Sequence, residues 1–526
     1  MSKVRNVLFI MADQLRADYL SCGGHPALET PNLDKLAAKG VMFDRAYVQS
    51  PVCGPSRMSF YTGRYAFNHG ASWNFVPLPV GEATLGDYLR PHGVRTALVG
   101  KTHMRPDLDG MARLGIDPGS DLGVLVGECG FEPFERDDGE HPDFQAKANP
   151  DFAYNLFLRK NGFDEWNPWH SAANAAAGPD GEILSGWDLR NSIHPARVPD
   201  ELSETAYTTD RALDFLREQG DEPWCLHLSY IKPHWPYMVS APYHDMYGQE
   251  DRLPLHRSDG ERNDPHPVHG AFMAMNPGLS FSREEVCTAV VPAYMGLVKQ
   301  IDDHLGRLFD YLETADRMDD TLIVFTSDHG DFLGDHWLGE KELFFEESAR
   351  VPMIIYDPSA AADATRGTRS DAFVEAIDLV PTFLEALGAT PPSHIIEGHS
   401  LLPLLHGETP TAWRDAVFSE LDYAFYKARL DLGLGPNDCR CFMVRTERWK
   451  YIHYEHFRPQ LFDLENDPDE FTDLGDAPGH EAIRREMADR LFAWFRGHKR
   501  RLAMTDETVV ERTDGAHKVG VIIGRW

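Results

Sequence analysis

Cysteine is scarce in this chain: seven residues in 526, an odd number, with no pair at the two-residue spacing of redox or zinc motifs. Cys439 and Cys441 flank a single arginine, Arg440. This excludes a disulfide-built scaffold and points to free thiols in a reducing compartment. Long apolar runs are also missing. The longest fall far below the roughly 20 residues that cross a bilayer, so no membrane association is expected. The apolar run in MSKVRNVLFIMADQLR soon meets Asp13 and Arg16 and lacks a small-residue cleavage site. It reads as a first strand, not a secretion signal, and a cytoplasmic location is expected. Positive charge is in short supply: 51 Lys and Arg against 83 Asp and Glu, a net charge of −32. A surface that acidic argues against nucleic acid as a partner. A small anionic substrate stays compatible, because local cations or a metal ion govern the field inside a cleft. There is no internal repeat and no low-complexity segment.

What is present is an ordinary globular composition, 42% hydrophobic and 25% charged, over a length that buries a large core. VLFIMA (7–12), VMFDRAYV (41–48), TALVG (96–100), WCLHLSYI (224–231), TLIVFT (321–326) and VPMIIY (351–356) read as buried strands. Helices are predicted between them. One spans 30–40, with Thr30 as N-cap, Pro31 at the first position and Gly40 after the end. Others span 84–93 and 203–220. A long one runs over 282–312, with a Ser282/Glu285 capping box and a kink at Pro292. The alternation of strand and helix predicts an α/β fold: a large mixed, mostly parallel sheet sandwiched by helices. After about residue 405 the pattern changes to short strands and one helix (480–498), predicting a smaller C-terminal antiparallel sheet plus helix. Domains are therefore expected at 1–405 and 406–526. Residues 104–200 and 236–281 read as loop-rich insertions that shape a rim. The apolar tail at 519–526 predicts a homo-oligomer.

Four of the strands end on polar clusters: Asp13 and Gln14; Lys101, Thr102 and His103; Lys232 and His234; Asp328 and His329. In an open parallel sheet, ligands bind beyond the carboxyl ends of the strands. Each residue alone admits a structural role, as a cap, a turn former or a packed loop residue. Their coincidence at strand ends is what predicts a site. The segment CGPSRMSFYTGR (53–64) reads as a short helix with Pro55 at its first position and Gly63 after its end. Cys53 then sits at a helix start, where free amides and the helix dipole favour an anion and lower a thiol pKa. Asp13, Asp328 and His329, with Gln14, supply hard oxygen donors and one imidazole for a divalent cation. The imidazole favours Mn²⁺ over Ca²⁺. Arg57, Lys101 and Lys341 supply positive charge for a tetrahedral oxyanion, and His103 and His234 can move protons.

CGPSRMSFYTGR resembles the signature of the sulfatase family, in which the cysteine is oxidised to formylglycine by a maturation enzyme. NVLFIMADQLRAD, GKTH, KPHWPY, TSDHGDFLGDH, GEKELFFEES, RTERWKYI and QLFDLENDPDE resemble further family segments. The resemblance runs from residue 6 to about 475. It implies a metal-dependent hydrolase in which residue 53, as a hydrated aldehyde, attacks a sulfate ester. The metal would be held by Asp13, Gln14, residue 53, Asp328 and His329. Lys101 and Lys341 would clamp the non-bridging oxygens and Arg57 would orient residue 53. His234 would serve the leaving group, and His103 would take the proton that lets the covalent intermediate collapse. Asn74 and Thr102 are further candidates for substrate contact. The Asp13-Gln14 and Asp328-His329 pairs resemble the branch of phosphonate monoester and phosphodiester hydrolases, whereas Lys101 and His103 resemble arylsulfatases. A sulfatase that also takes phosphonate monoesters and phosphodiesters is the expectation. A phosphonate monoester or phosphodiester hydrolase and a non-catalytic metal-binding relative are the alternatives.

Overall fold

A computed structural model describes residues 4–74, 76–139, 151–498, 501–513, 515 and 520. Eight strands order the large sheet: β1 (Asn6–Asp13), β2 (Val41–Tyr47), β3 (Arg95–Gly100), β4 (Glu132–Arg136), β5 (Trp224–Pro233), β6 (Thr321–Ser327), β7 (Met353–Tyr356) and β8 (Thr368–Glu375). They lie in the order β8-β2-β7-β6-β1-β5-β3-β4, and a two-residue strand, Arg350–Val351, also pairs with β2. All pairings are parallel except those of β7 and of Arg350–Val351. The mixed, mostly parallel sheet predicted from the apolar runs is present.

Burial follows the period of two along each strand. In β1, Leu8, Ile10 and Ala12 face one core, while Val7, Phe9 and Met11 face the other. The first core is covered by helices Pro31–Lys39, Glu204–Glu218 and Glu284–Thr314, the second by helices Cys53–Thr62 and Leu379–Ala386. The four strands whose ends carry polar clusters are consecutive neighbours, β6-β1-β5-β3, at the centre of the sheet. Their register aligns those ends: Ala12 pairs with Ser327 and with Tyr230, and Gly100 with Ser229. Gly100 has φ +103, and a Cβ there would lie 1.9 Å from the Ser229 carbonyl oxygen. Only glycine lets the chain leave β3 this close to β5.

A second sheet of antiparallel strands, Ala416–Asp422, Arg440–Thr446, Trp449–Tyr454 and Gln460–Asp463, carries helix Glu481–Gly497. Its other face packs on Val52, Trp73, Leu343, Phe344 and Phe345, so it backs both the start of the Cys53 helix and the segment carrying Lys341. Lys450, with no exposed side-chain surface, ties the sheet down through Glu346 and Glu470.

Several local expectations are revised. Thr30 is the N-cap, as expected, but its hydroxyl meets Ser21 in place of a helix amide. Gly40 is extended, at φ −119, and is small because Ile355 passes against it. The long helix begins at Glu284 with Arg283 as N-cap, because Ser282 ends the preceding turn of helix Asn276–Phe281. Residues 104–200 are less irregular than their composition predicts: they contain helices Leu108–Leu114, Asp121–Gly127 and Ala153–Lys160 and the edge strand β4. The tail at 519–526 lies outside the described residues, Gly520 apart.

Candidate active site

The site starts with helix Cys53–Thr62, which Gly63 ends in the left-handed conformation at φ +68. Cys53 is itself the first helical residue, Val52 is the N-cap, and Pro55 falls at the third position. The helix start does not offer a row of free amides. Gly54 N–H donates to Asn74 Oδ1 at 2.7 Å, Pro55 has no N–H, and Ser56 N–H donates to the Val52 carbonyl. Nor is the thiol activated. Burial, then Asp13, pushes Cys53 up to about 12, against the opposing pull of Lys341 and Lys101. The expectation of a lowered thiol pKa is overturned, because the site is buried and holds carboxylates of its own.

Around Cys53 the strand ends converge. Its Sγ lies 3.1 Å from His329 Nε2 and 4.0 Å from Asp13 Oδ1. His329 Nε2 is 3.7 Å from Asp13 Oδ1 and 3.8 Å from Asp328 Oδ1. One donor atom from each of Asp13, Cys53, Asp328 and His329 lies within 4.8 Å of the others, and all four residues are buried. His329 Nδ1 is 2.9 Å from the Gly330 carbonyl. That contact places the ring proton on Nδ1 and leaves the Nε2 lone pair facing the carboxylates, as a metal ligand requires. Gln14 joins the rim: its backbone N–H donates to Asp328 Oδ1, its Nε2 to Asp331 Oδ2, and its Oε1 accepts from Lys341 Nζ at 3.1 Å. The donor set fits a divalent cation.

Arg57 is the hub. Its guanidinium donates to Asp328 Oδ2 at 2.7 Å, Asp13 Oδ2 at 3.2 Å, the Lys101 carbonyl at 2.8 Å and Ser229 Oγ at 2.7 Å. Lys101 Nζ lies 2.6 Å from Asp13 Oδ2. Burial pushes the Asp13 carboxyl up, but Lys101 and Arg57 outweigh it and hold it well below the usual range. The imidazoles are held neutral. Burial first, then Lys341, lowers His234; burial, then Lys101, lowers His103. Three cations, Arg57, Lys101 and Lys341, thus face two carboxylates, Asp13 and Asp328, within a chain of net charge −32. Asp331 behind Gln14 and Glu340 and Glu342 beside Lys341 add further acidic groups, so it is the three buried cations themselves that would meet an anion.

His234 Nδ1 lies 2.8 Å from the Trp235 carbonyl and Nε2 lies 3.2 Å from Lys341 Nζ. With Nδ1 donating, Nε2 accepts from the ammonium, so Lys341 is the proton-bearing member of the pair. Burial opposes charge on Lys341, but Cys53, Glu340 and Glu342 keep it above the usual lysine value. His103 sits at φ +54 with its backbone N–H on Asp138, and its buried Nδ1 has no hydrogen-bond partner among the described residues. Thr102 is buried, its N–H also on Asp138. Asn74 serves the chain itself through Gly54. Sequence reasoning missed Ser229, Asp331 and Tyr237. Ser229 sits among the apolar residues of β5 and carries no motif. Asp331 accepts from Tyr237 at 2.7 Å and orients Gln14.

Residues 5–389 match the family model described as Sulfatase. The chain belongs to the sulfatase family. Residues 334–496 also match a model described as N-sulphoglucosamine sulphohydrolase, C-terminal, in keeping with the Lys341 segment and second sheet forming one packed unit. Within the family, the multifunctional alkaline phosphatase superfamily protein PehA of Trinickia caryophylli is 34% identical over 517 residues, covering 94% of this chain and 96% of that protein. An arylsulfatase of Clostridium perfringens is 28% identical over 488 residues, covering 89% and 90%. Among solved structures, the phosphonate monoester hydrolase of Agrobacterium radiobacter superposes with a TM-score of 0.80 at 30% identity, covering 94% of this chain and 96% of that one. The alkaline-phosphatase-like fold expected from the sequence is therefore the fold of the chain.

Proposed function

We propose that the chain hydrolyses sulfate monoesters, with residue 53 as a formylglycine made from Cys53 by a maturation enzyme, and that phosphonate monoesters are its second substrate class. The observation that carries this reading is the convergence of Cys53, Asp13, Asp328 and His329 within 4.8 Å, ringed by Arg57, Lys101 and Lys341. A divalent cation held by Asp13, Asp328, His329 and Gln14 Oε1 would polarise an ester oxygen and acidify a hydroxyl of residue 53. Mn²⁺ suits the imidazole-containing set better than Ca²⁺. The hydrated aldehyde would supply two hydroxyls, one to attack the ester and one whose deprotonation expels the anion afterwards.

The other steps fall to the side chains. Lys101 and Lys341 bind the non-bridging oxygens and neutralise charge that grows in the transition state. Arg57 fixes Asp13, Asp328 and residue 53 in one arrangement. The Lys341–His234 pair faces the departing oxygen, with the proton on Lys341 Nζ. His103, buried and neutral, takes the proton from the second hydroxyl. Asn74 acts by holding the start of the Cys53 helix, and Thr102 by holding the Lys101 turn on Asp138. Residues 1–405 and 406–526 act as a catalytic and a supporting domain in a cytoplasmic homo-oligomer.

A phosphonate monoester hydrolase is the second reading, favoured by the similarity to PehA and to the Agrobacterium radiobacter enzyme. The test is kcat/KM on an aryl sulfate and on a phenyl phosphonate monoester under identical conditions. Failure to turn over the sulfate ester would make the second reading the correct one.

A further inference from the structure

A cavity of about 190 Å³ has Trp187, Leu189, Trp235, Tyr237, Phe281 and Glu340 in its lining. Both insertions that were loop-rich in sequence contribute to it: residues 186–189 come from one and 276–281 from the other. Trp235 is the wall it shares with the active site. The Trp235 ring lies 4.2 Å from the His234 ring and 5.7 Å from Lys341 Nζ, centroid distances in both cases. Tyr237, also in the lining, donates to Asp331. Trp235 thus has one neighbour in the Lys341–His234 pair and another in the cavity.

We infer that this cavity is the leaving-group subsite and that it takes one neutral aromatic ring. The inference rests on the proposed ester hydrolysis and deepens it. A cavity of about 150 Å³ is enough to hold benzene. Trp187 and Trp235, with ring centroids 5.1 Å apart and planes tilted by 58°, pack on each other and form a corner of the lining, against which a ring can make the offset or tilted contacts that are favourable beyond their area. The Trp235 Nε1–H is buried with no hydrogen-bond partner among the described residues, so it is available to a substituent or oxygen of the ring. Aromatic walls with a carboxylate, here Glu340, also suit a quaternary ammonium group. Lys341 already occupies the neighbourhood of Trp235, and a second cation there would be repelled, so the neutral ring is favoured. Trp187 is the specificity-determining residue: it lines the cavity but touches none of the proposed catalytic groups.

The experiment measures kcat/KM of the wild type, Trp187→Ala and Trp187→Phe on phenyl sulfate, ethyl sulfate and choline sulfate. Because aryl esters are intrinsically more reactive, the quantity compared is the variant-to-wild-type ratio for each ester. Trp187→Ala is expected to lower the phenyl ester about tenfold or more and the ethyl ester less than about threefold, with Trp187→Phe restoring most of the phenyl value. Equal losses on phenyl and ethyl esters would overturn the subsite. A loss confined to choline sulfate would assign the cavity to a cation instead and also overturn it. Binding of phenylphosphonate by calorimetry separates the two levels of argument. If no ester is turned over yet binding weakens in Trp187→Ala, the ester-hydrolase reading fails and the aromatic subsite stands. If esters are turned over and binding is unchanged, the subsite fails alone.

Discussion

Replacing Arg57 by Met tests whether one guanidinium neutralises the two carboxylates that frame the site. Arg57, Asp13 and Asp328 have no exposed side-chain surface. The substitution keeps most of the side-chain volume and removes the cation, leaving Asp13 with Lys101 and Asp328, among the described residues, beside only the neutral His329 imidazole. Breaking a buried pair by removing one partner costs about 3–5 kcal/mol. Unfolding entropy of about 2.1 cal/mol/K per residue gives roughly 1.1 kcal/mol/K for this length. The expected drop in melting temperature, in chelator-treated protein, is therefore about 3–5 °C by calorimetry. The same substitution removes a positive charge that repels a bound cation. Removing a unit positive charge from beside the two carboxylates that would hold a dication is worth on the order of several kcal/mol at an effective dielectric of 20. Added Mn²⁺ should then stabilise Arg57→Met more than the wild type, with an apparent affinity roughly tenfold or more tighter. A drop below about 1 °C, or an identical Mn²⁺ shift in both proteins, would refute the charge accounting.

Two further outcomes follow from the same geometry. His336, with no exposed side-chain surface, is pushed up to about 10: burial opposes its charge, but Glu347 and Glu261 outweigh burial. Its folded value lies above the unfolded value of about 6.5, so its contribution is complete below that pH and is lost as pH rises towards 10. Melting temperature should fall across this window. His336→Phe, which can keep the stacking on Phe345 at 3.8 Å, should flatten the dependence; an unchanged slope would contradict the assignment. For the metal, dialysis against a chelator should abolish ester hydrolysis, and Mn²⁺ should restore more activity than Ca²⁺. Full activity in metal-free protein, verified by elemental analysis, would exclude the role given to Asp13, Asp328 and His329.

The centre of this molecule was legible in sequence for a physical reason. Parallel strands buried on both faces read as unbroken apolar runs, and the polar residues that stop them mark the sheet edge where ligands bind. That is why Asp13, Lys101, His234 and Asp328 could be placed together before any coordinate. The edge strand β4, EPFER, was lost because it is only half-buried and carries proline and three charges. The capping box at Ser282 failed because a short helix ends on the same residue, a conflict that periodicity does not expose. The thiol pKa went the wrong way because helix-start reasoning counts the dipole but not burial or neighbouring carboxylates. Ser229 was invisible because its partner, Arg57, lies 172 residues away in sequence. The aromatic cavity could not be read at all: Trp187, Trp235 and Phe281 come from three segments whose meeting depends on loop paths.

The central claim is that Cys53 is a precursor and residue 53 works as an aldehyde hydrate. A buried thiol pushed up to about 12 would be a poor nucleophile and would have no second hydroxyl for release. The direct measurement is the mass of the peptide carrying residue 53, in protein produced with a competent maturation enzyme, alongside its specific activity. The account predicts a residue with sulfur replaced by oxygen and two hydrogens lost, in a fraction that rises in proportion to activity. Fully active protein whose residue 53 is unmodified cysteine would contradict it.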